Sequence, residues 1–372
     1  MDKTSLVTLN RRVQALADNI LPQRIRLLSN YKVQPHNGLI KLDAMESPYS
    51  WDNSLERAWL ASLADCAVNR YPDAECRQIK QKFRELLQLS QDYDLLFGNG
   101  SDELIQLLLL SLYRPGETLV DLSPGFVMYR HIAKTIGYDY LSVDLNGDFT
   151  INLEQTKQAI DQYQPKLIFI ARPNNPTANA FDKMVVEAII QSSNGLVIID
   201  EAYSGFCQDD CLDFICHYPQ VLIMRTMSKM GLAGLRFGFL IGHKTWINQF
   251  NKVRLPYNIN SLTQRSMAFA LEHNDIIQQQ SAKICQDRDA LYQELAQIAD
   301  FTVFPSQTNF ITLRSHKVTA NVLSAHLLAD GILIKNLDGA HPLTSQCLRI
   351  SIGTEAENRQ LLSSLKQALF HG

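Results

Sequence analysis

The 372-residue sequence contains no long hydrophobic run. Its most apolar stretch, Leu104 to Tyr113, is interrupted by Gln106 and Ser111 and falls far short of the roughly 20 residues a membrane-spanning helix needs. An excess of either charge is missing as well. With 35 basic and 38 acidic residues the formal net charge is -3, which offers no broad electrostatic footprint for nucleic acid. The first twenty residues, with Arg11 and Arg12 among polar neighbours, lack the apolar core of a secretory signal, so a cytoplasmic location is expected. Cysteine is sparse and odd in number, seven in all, which argues against a disulfide framework. The cluster Cys207, Cys211 and Cys216, followed by His217, misses the two-residue knuckle of a zinc site, so no metal is expected and the cluster is left without a role. Internal repeats and low-complexity segments are absent too.

What is present is the composition of a globular protein, 46% hydrophobic and 20% charged, in a chain long enough for two domains. Short, mostly unalternated apolar runs at Thr118–Leu122, Leu167–Ala171, Leu196–Asp200, Val221–Thr226 and Phe237–Ile241 read as strands covered on both faces. Helical stretches, clearest at Phe126–Ile136 and Asp182–Ser192, lie between them. A long helical run covers Asn260–Ile298, followed by strands at Phe310–Arg314, Ile332–Lys335 and Leu348–Ile352 and helices at Ala320–Ala329 and Glu355–Phe370. The expected fold class is therefore α/β: a large domain with a mostly parallel sheet sandwiched by helices, plus a smaller α+β domain. The expected divisions are an N-terminal segment, 1–45, packing with the small domain, a large domain at 46–265 and the small domain at 266–372.

Several fragments carry chemistry. Asp200 ends a buried strand, at the end of the sheet where ligand crevices of open α/β folds lie. Lys229 follows the next apolar strand in Arg225-Thr226-Met227-Ser228-Lys229; in a partly dry crevice such a lysine loses its proton and becomes a nucleophile for a carbonyl. Gly234-Leu235-Arg236-Phe237-Gly238 sets an arginine among small residues, where a guanidinium can fork onto a phosphate. Gly98-Asn99-Gly100-Ser101-Asp102-Glu103 reads as a helix start with a capping serine, acidic first-turn residues and free N–H groups suited to a phosphate. Pro173-Asn174-Asn175-Pro176-Thr177 is a proline-stiffened loop at a strand end. Taken singly, each has a bland counterpart: a helix-capping aspartate, a solvated lysine, an ordinary capped helix, a plain turn.

Their order along the chain resembles the fold-type I, pyridoxal-phosphate-dependent aminotransferases, and the resemblance covers nearly the whole sequence. It is closest to the histidinol-phosphate aminotransferases, through Asn69-Arg70-Tyr71-Pro72, Pro256-Tyr257-Asn258-Ile259-Asn260, Ile334-Lys335-Asn336-Leu337-Asp338-Gly339 and Leu348-Arg349-Ile350-Ser351-Ile352-Gly353-Thr354.

The resemblance implies that Lys229 carries pyridoxal phosphate on its ε-amino group and later moves the substrate α-proton. Asp200 would pair with the pyridine nitrogen and keep it protonated. Tyr203 and Asn175 would bond the ring hydroxyl oxygen, and Phe126 would stack on the ring. Gly100, Ser101, Asp102, Ser228 and Arg236 would surround the phosphate, with Asp102 contributing its backbone N–H. Arg349 would grip the substrate carboxylate, Asn175 would also contact the substrate, Lys335 would stand near the substrate phosphate, and Tyr71 would reach the partner's cofactor phosphate in a homodimer with shared sites. Three positions depart from the family pattern: Ala178 replaces a glycine, Phe126 a common tyrosine, and Ser47 a common asparagine.

The implied reaction is amino transfer between L-histidinol phosphate and 2-oxoglutarate in histidine biosynthesis. Its rivals are an aromatic amino acid aminotransferase, a threonine-phosphate decarboxylase, and a non-catalytic regulator on the same scaffold. The regulator would need a DNA-binding module, for which the roughly forty residues before the first matched segment are too few.

Overall fold

A computed structural model describes residues 3–30, 34–35 and 38–371. Among them twelve strands run, in chain order, as β1 (Ile40–Leu42), β2 (Tyr93–Asn99), β3 (Thr118–Ser123), β4 (Asp139–Asp144), β5 (Leu167–Ala171) and β6 (Leu196–Asp200). They continue as β7 (Val221–Thr226), β8 (Phe237–His243), β9 (Phe301–Val303), β10 (Phe310–Ser315), β11 (Ile332–Asn336) and β12 (Cys347–Ser351). Seven form one sheet in the order β2-β8-β7-β6-β5-β3-β4, in which only β8 runs against its neighbours. Every residue of β5 and β6 is buried, as their unbroken apolar runs require.

Alternate residues of β6 feed opposite cores. Val197 and Ile199 pack with Phe83, Ile160 and Ile189, whereas Leu196 and Ile198 pack with Leu108, Tyr129 and Ile132. Helices Arg77–Leu86, Leu153–Tyr163 and Lys183–Ser192 therefore cover one face, and Ser101–Leu112 and Val127–Ile136 the other. The second sheet, β1-β11-β12-β10-β9, packs against helices Asn274–Ala296, Ala320–Ala329 and Glu355–His371 around a separate core. β1 joins this sheet from far upstream, parallel to β11 with Ile40 opposite Ile332.

Two expectations need correction. The helical run expected over Asn260–Ile298 is two helices, Ser261–Glu272 and Asn274–Ala296, separated at His273 (φ -112°, ψ 34°). The break falls at a polar His-Asn-Asp step, whose side chains compete with the helical backbone. The helix start at Ser101 is capped by Gly100 (φ 84°) and not by the serine hydroxyl, because Ser101 is already the first helical residue.

Candidate active site

A cleft of about 520 Å³ opens at the C-terminal ends of β5, β6 and β7. Ser101, Asp102, Phe126, Asn175, Asp200, Tyr203, Ser228, Lys229 and Arg236, drawn from separate parts of the sequence, all line it. Gly100 lies directly behind: a Cβ there would stand 2.5 Å from Arg236 Nη2. The chain can turn so tightly into the Ser101–Leu112 helix only because this residue has no side chain and accepts a positive φ.

Asp200 is buried at the end of β6. Its Oδ1 accepts from the Ala202 N–H at 3.1 Å and its Oδ2 from the Tyr129 hydroxyl at 2.5 Å. Burial pushes its carboxyl up to about 6, against the pull of those two donors. Tyr129 escaped the sequence reading. The available signal was its position three residues after Phe126, the spacing that brings side chains onto one helix face.

Lys229 sits in the distorted turn after β7, where Gly231 takes φ 86°. Its amine is driven down to about 8, chiefly by desolvation and then by the Arg349 charge. The Nζ lies 5.9 Å from the Tyr203 ring centroid. A cleft lysine near its pKa at neutral pH is suited to attack a carbonyl.

An anion-binding corner forms at the start of the Ser101–Leu112 helix, whose first N–H groups receive no side-chain cap. Arg236, held at φ 49°, donates from Nη2 to Asp102 Oδ2 at 3.2 Å. Ser228 completes the corner, its N–H donating to Thr226 Oγ1 at 3.1 Å. Uncapped amides, a guanidinium and two serine hydroxyls fit a phosphate. The buried carboxylate and the depressed amine fit a protonated pyridine nitrogen and an aldehyde. Together the fold and this donor set suit an enzyme that uses pyridoxal phosphate.

Arg349 of β12 is not itself in the lining but bonds a residue that is: it donates from Nη1 to Asn175 Oδ1 at 2.6 Å and from Nη2 to the Asp43 carbonyl at 2.8 Å. Asn175 in turn donates to the Tyr203 hydroxyl at 3.1 Å. Lys335 of β11 is exposed and is not part of the lining, but it stands directly across the ladder from Arg349. Residues so paired project from the same face of a sheet. Tyr71 is 81% exposed and stacks on Tyr257 with centroids 4.5 Å apart, outside the cleft of its own chain. Ala178 is buried at φ 71°, a left-handed conformation that glycine adopts without strain. The loop therefore keeps a glycine-type turn with an alanine in it.

Residues 37–365 match the family described as aminotransferase class I and II. Histidinol-phosphate aminotransferase 2 of Nitrosococcus oceani is 46% identical over 92% of this chain and 95% of its own. The histidinol-phosphate aminotransferase of Chromobacterium violaceum is 42% identical over 92% and 96%. The solved structure of the Sinorhizobium meliloti histidinol-phosphate aminotransferase, in complex with pyridoxal-5'-phosphate, superimposes with a TM-score of 0.84 at 24% identity, covering 95% of this chain and 98% of that one. The chain belongs to the class I and II aminotransferases and, within them, to the histidinol-phosphate aminotransferase family.

Proposed function

We propose that the protein transfers the amino group of L-histidinol phosphate to 2-oxoglutarate, giving imidazole acetol phosphate and L-glutamate. The observation that carries this reading is the cross-strand pair Lys335 and Arg349 beside the cofactor cleft. One half-reaction brings a phosphate ester and the other a dicarboxylate, so the site needs cations for both. Arg349 grips the carboxylate of glutamate through its planar fork, and Lys335 attracts the phosphate as a point charge.

Bound pyridoxal phosphate supplies an aldehyde that captures the amino group and a ring that withdraws electrons from the substrate α-carbon. Lys229 would hold the cofactor and would move the substrate α-proton as a general base and acid. Asp200 keeps the ring nitrogen protonated. Tyr203 and Asn175 stabilise the ring oxygen, and Phe126 covers the ring face. Gly100, Ser101, Asp102, Ser228 and Arg236 would hold the phosphate, Asp102 through its backbone N–H.

The same reading divides the chain at 1–45, 46–265 and 266–372. It makes the protein a cytoplasmic homodimer in which the exposed Tyr71 reaches the partner's phosphate corner. Among the described residues no helix is long and apolar enough to cross a membrane.

The test is a single half-reaction: purified holoenzyme is given histidinol phosphate without any oxo acid. One imidazole acetol phosphate per site, with the visible absorbance of the cofactor moving to that of its amine form, is expected. Turnover of aromatic amino acids alone, or carbon dioxide release from threonine phosphate, would overturn the substrate assignment.

A further inference from the structure

We infer that Tyr129 is a positioning residue for Asp200: its fixed hydroxyl holds that carboxylate ionised and aimed at the cofactor ring nitrogen. The inference rests on the cofactor reading of Asp200 given above. Tyr129 is 1% exposed, and its ring stacks on Phe169 of β5 with centroids 4.4 Å apart and planes 11° apart. It meets Phe126 edge-on at 5.4 Å. Phe126 is the N-cap residue of the Val127–Ile136 helix, so one helix start delivers both the ring that lines the cleft and the hydroxyl beneath it.

The hydroxyl donates to Asp200 Oδ2 at 2.5 Å, a short charge-assisted bond. A carboxylate offers about four lone-pair sites, and Tyr129 and the Ala202 N–H occupy two. Acceptor capacity is left over for a protonated ring nitrogen. The other charged and titratable groups around this carboxylate are Asp102, Glu201 and Tyr203, with Asp121 near the Tyr129 hydroxyl and Lys229 across the cleft. Burial works against ionisation of Asp200, and the acidic Asp102 and Glu201 do the same. The phenol itself stays protonated, because burial and the two neighbouring carboxylates push its pKa well above the ordinary tyrosine value. It is therefore a permanent donor opposing that pressure.

A tyrosine that only filled the gap between helix and sheet would tolerate loss of its oxygen. Tyr129→Phe keeps the ring and removes the donor. Cofactor affinity of the apoenzyme, titrated between about pH 5 and pH 9, should fall about tenfold or more at neutral pH. The acid limb of the binding curve should move up by about one pH unit, because the carboxylate loses a donor that favours its charged form. Site-specific difluorotyrosine at position 129, a more acidic donor of nearly the same shape, should move the limb the other way. It decides the matter if the phenylalanine variant does not fold. Limbs that coincide with wild type overturn the inference. Asp200→Asn separates the two levels. If it loses cofactor while Tyr129→Phe does not, only the role of Tyr129 falls; if it binds as wild type does, the reading of Asp200 falls and the inference with it.

Discussion

The two sheets supply the cleft in different ways. On the large sheet, functional groups stand at strand ends and in the turns that follow: Asp200 closes β6, and Ser228 and Lys229 follow β7 directly. On the small sheet the cations sit within paired strands, Arg349 in the middle of β12 and Lys335 opposite it on β11. A strand-end group is fixed by its own buried strand. A cation within the ladder is fixed by the register of two strands. The difference suggests a division of labour, with a rigid half that holds the cofactor and a half that faces the variable part of the chemistry.

The largest expected effect separates function from stability on the rigid half. The Asp200 carboxyl sits at about 6, against 3.8 in the unfolded chain. Between those values the native state keeps a proton that the unfolded state has released, so this contribution is full below about pH 4 and is lost as the pH rises through 6. At neutral pH the buried charge is a net cost. Asp200→Asn should therefore stabilise the cofactor-free protein by roughly 2–3 kcal/mol at pH 7, while weakening cofactor binding about a hundredfold. Urea unfolding of the apoprotein and cofactor titration read the two changes. If both move in the same direction, the carboxylate is not placed for function at the expense of stability.

Next in size is a test of the variable half. Lys335→Ala should raise KM for histidinol phosphate about tenfold and leave the glutamate half-reaction within about twofold. Equal losses with both substrates would erase the distinction between the two cations. The smallest effect lies in the loop between the halves. Ala178→Gly relieves about 1–2 kcal/mol of left-handed strain and forfeits about 0.8 kcal/mol of methyl burial, so unfolding should shift by no more than about 1 kcal/mol, towards stability. A loss above about 2 kcal/mol would show that the methyl group matters more than the turn.

Much of the large sheet was legible because β5, β6 and β7 each open with at least four consecutive apolar residues, buried on both faces. β4 was not, because it is an edge strand that carries Asp139, Ser142 and Asp144. β1 and β9, each three residues long, hold too few side chains to show a period. Within the site, Asp200, Lys229 and Arg236 announced themselves because strand and functional residue are contiguous. The Tyr129 bond to Asp200 spans 71 residues, and the spacing of Tyr129 from Phe126 marks a shared helix face without naming that partner. The pairing of Lys335 with Arg349 likewise depends on ladder register, which no single strand encodes.

The proposed chemistry requires the cofactor to be held by one lysine in this cleft. Borohydride reduction of the holoenzyme, followed by peptide mass spectrometry, tests that directly. The account predicts a single phosphopyridoxyl group on the peptide containing Lys229, and none in Lys229→Ala. Because the amine sits at about 8, reloading of the apoenzyme should also quicken as the pH rises through that value. A label on any other lysine, or full labelling of the alanine variant, would contradict the assignment of this site.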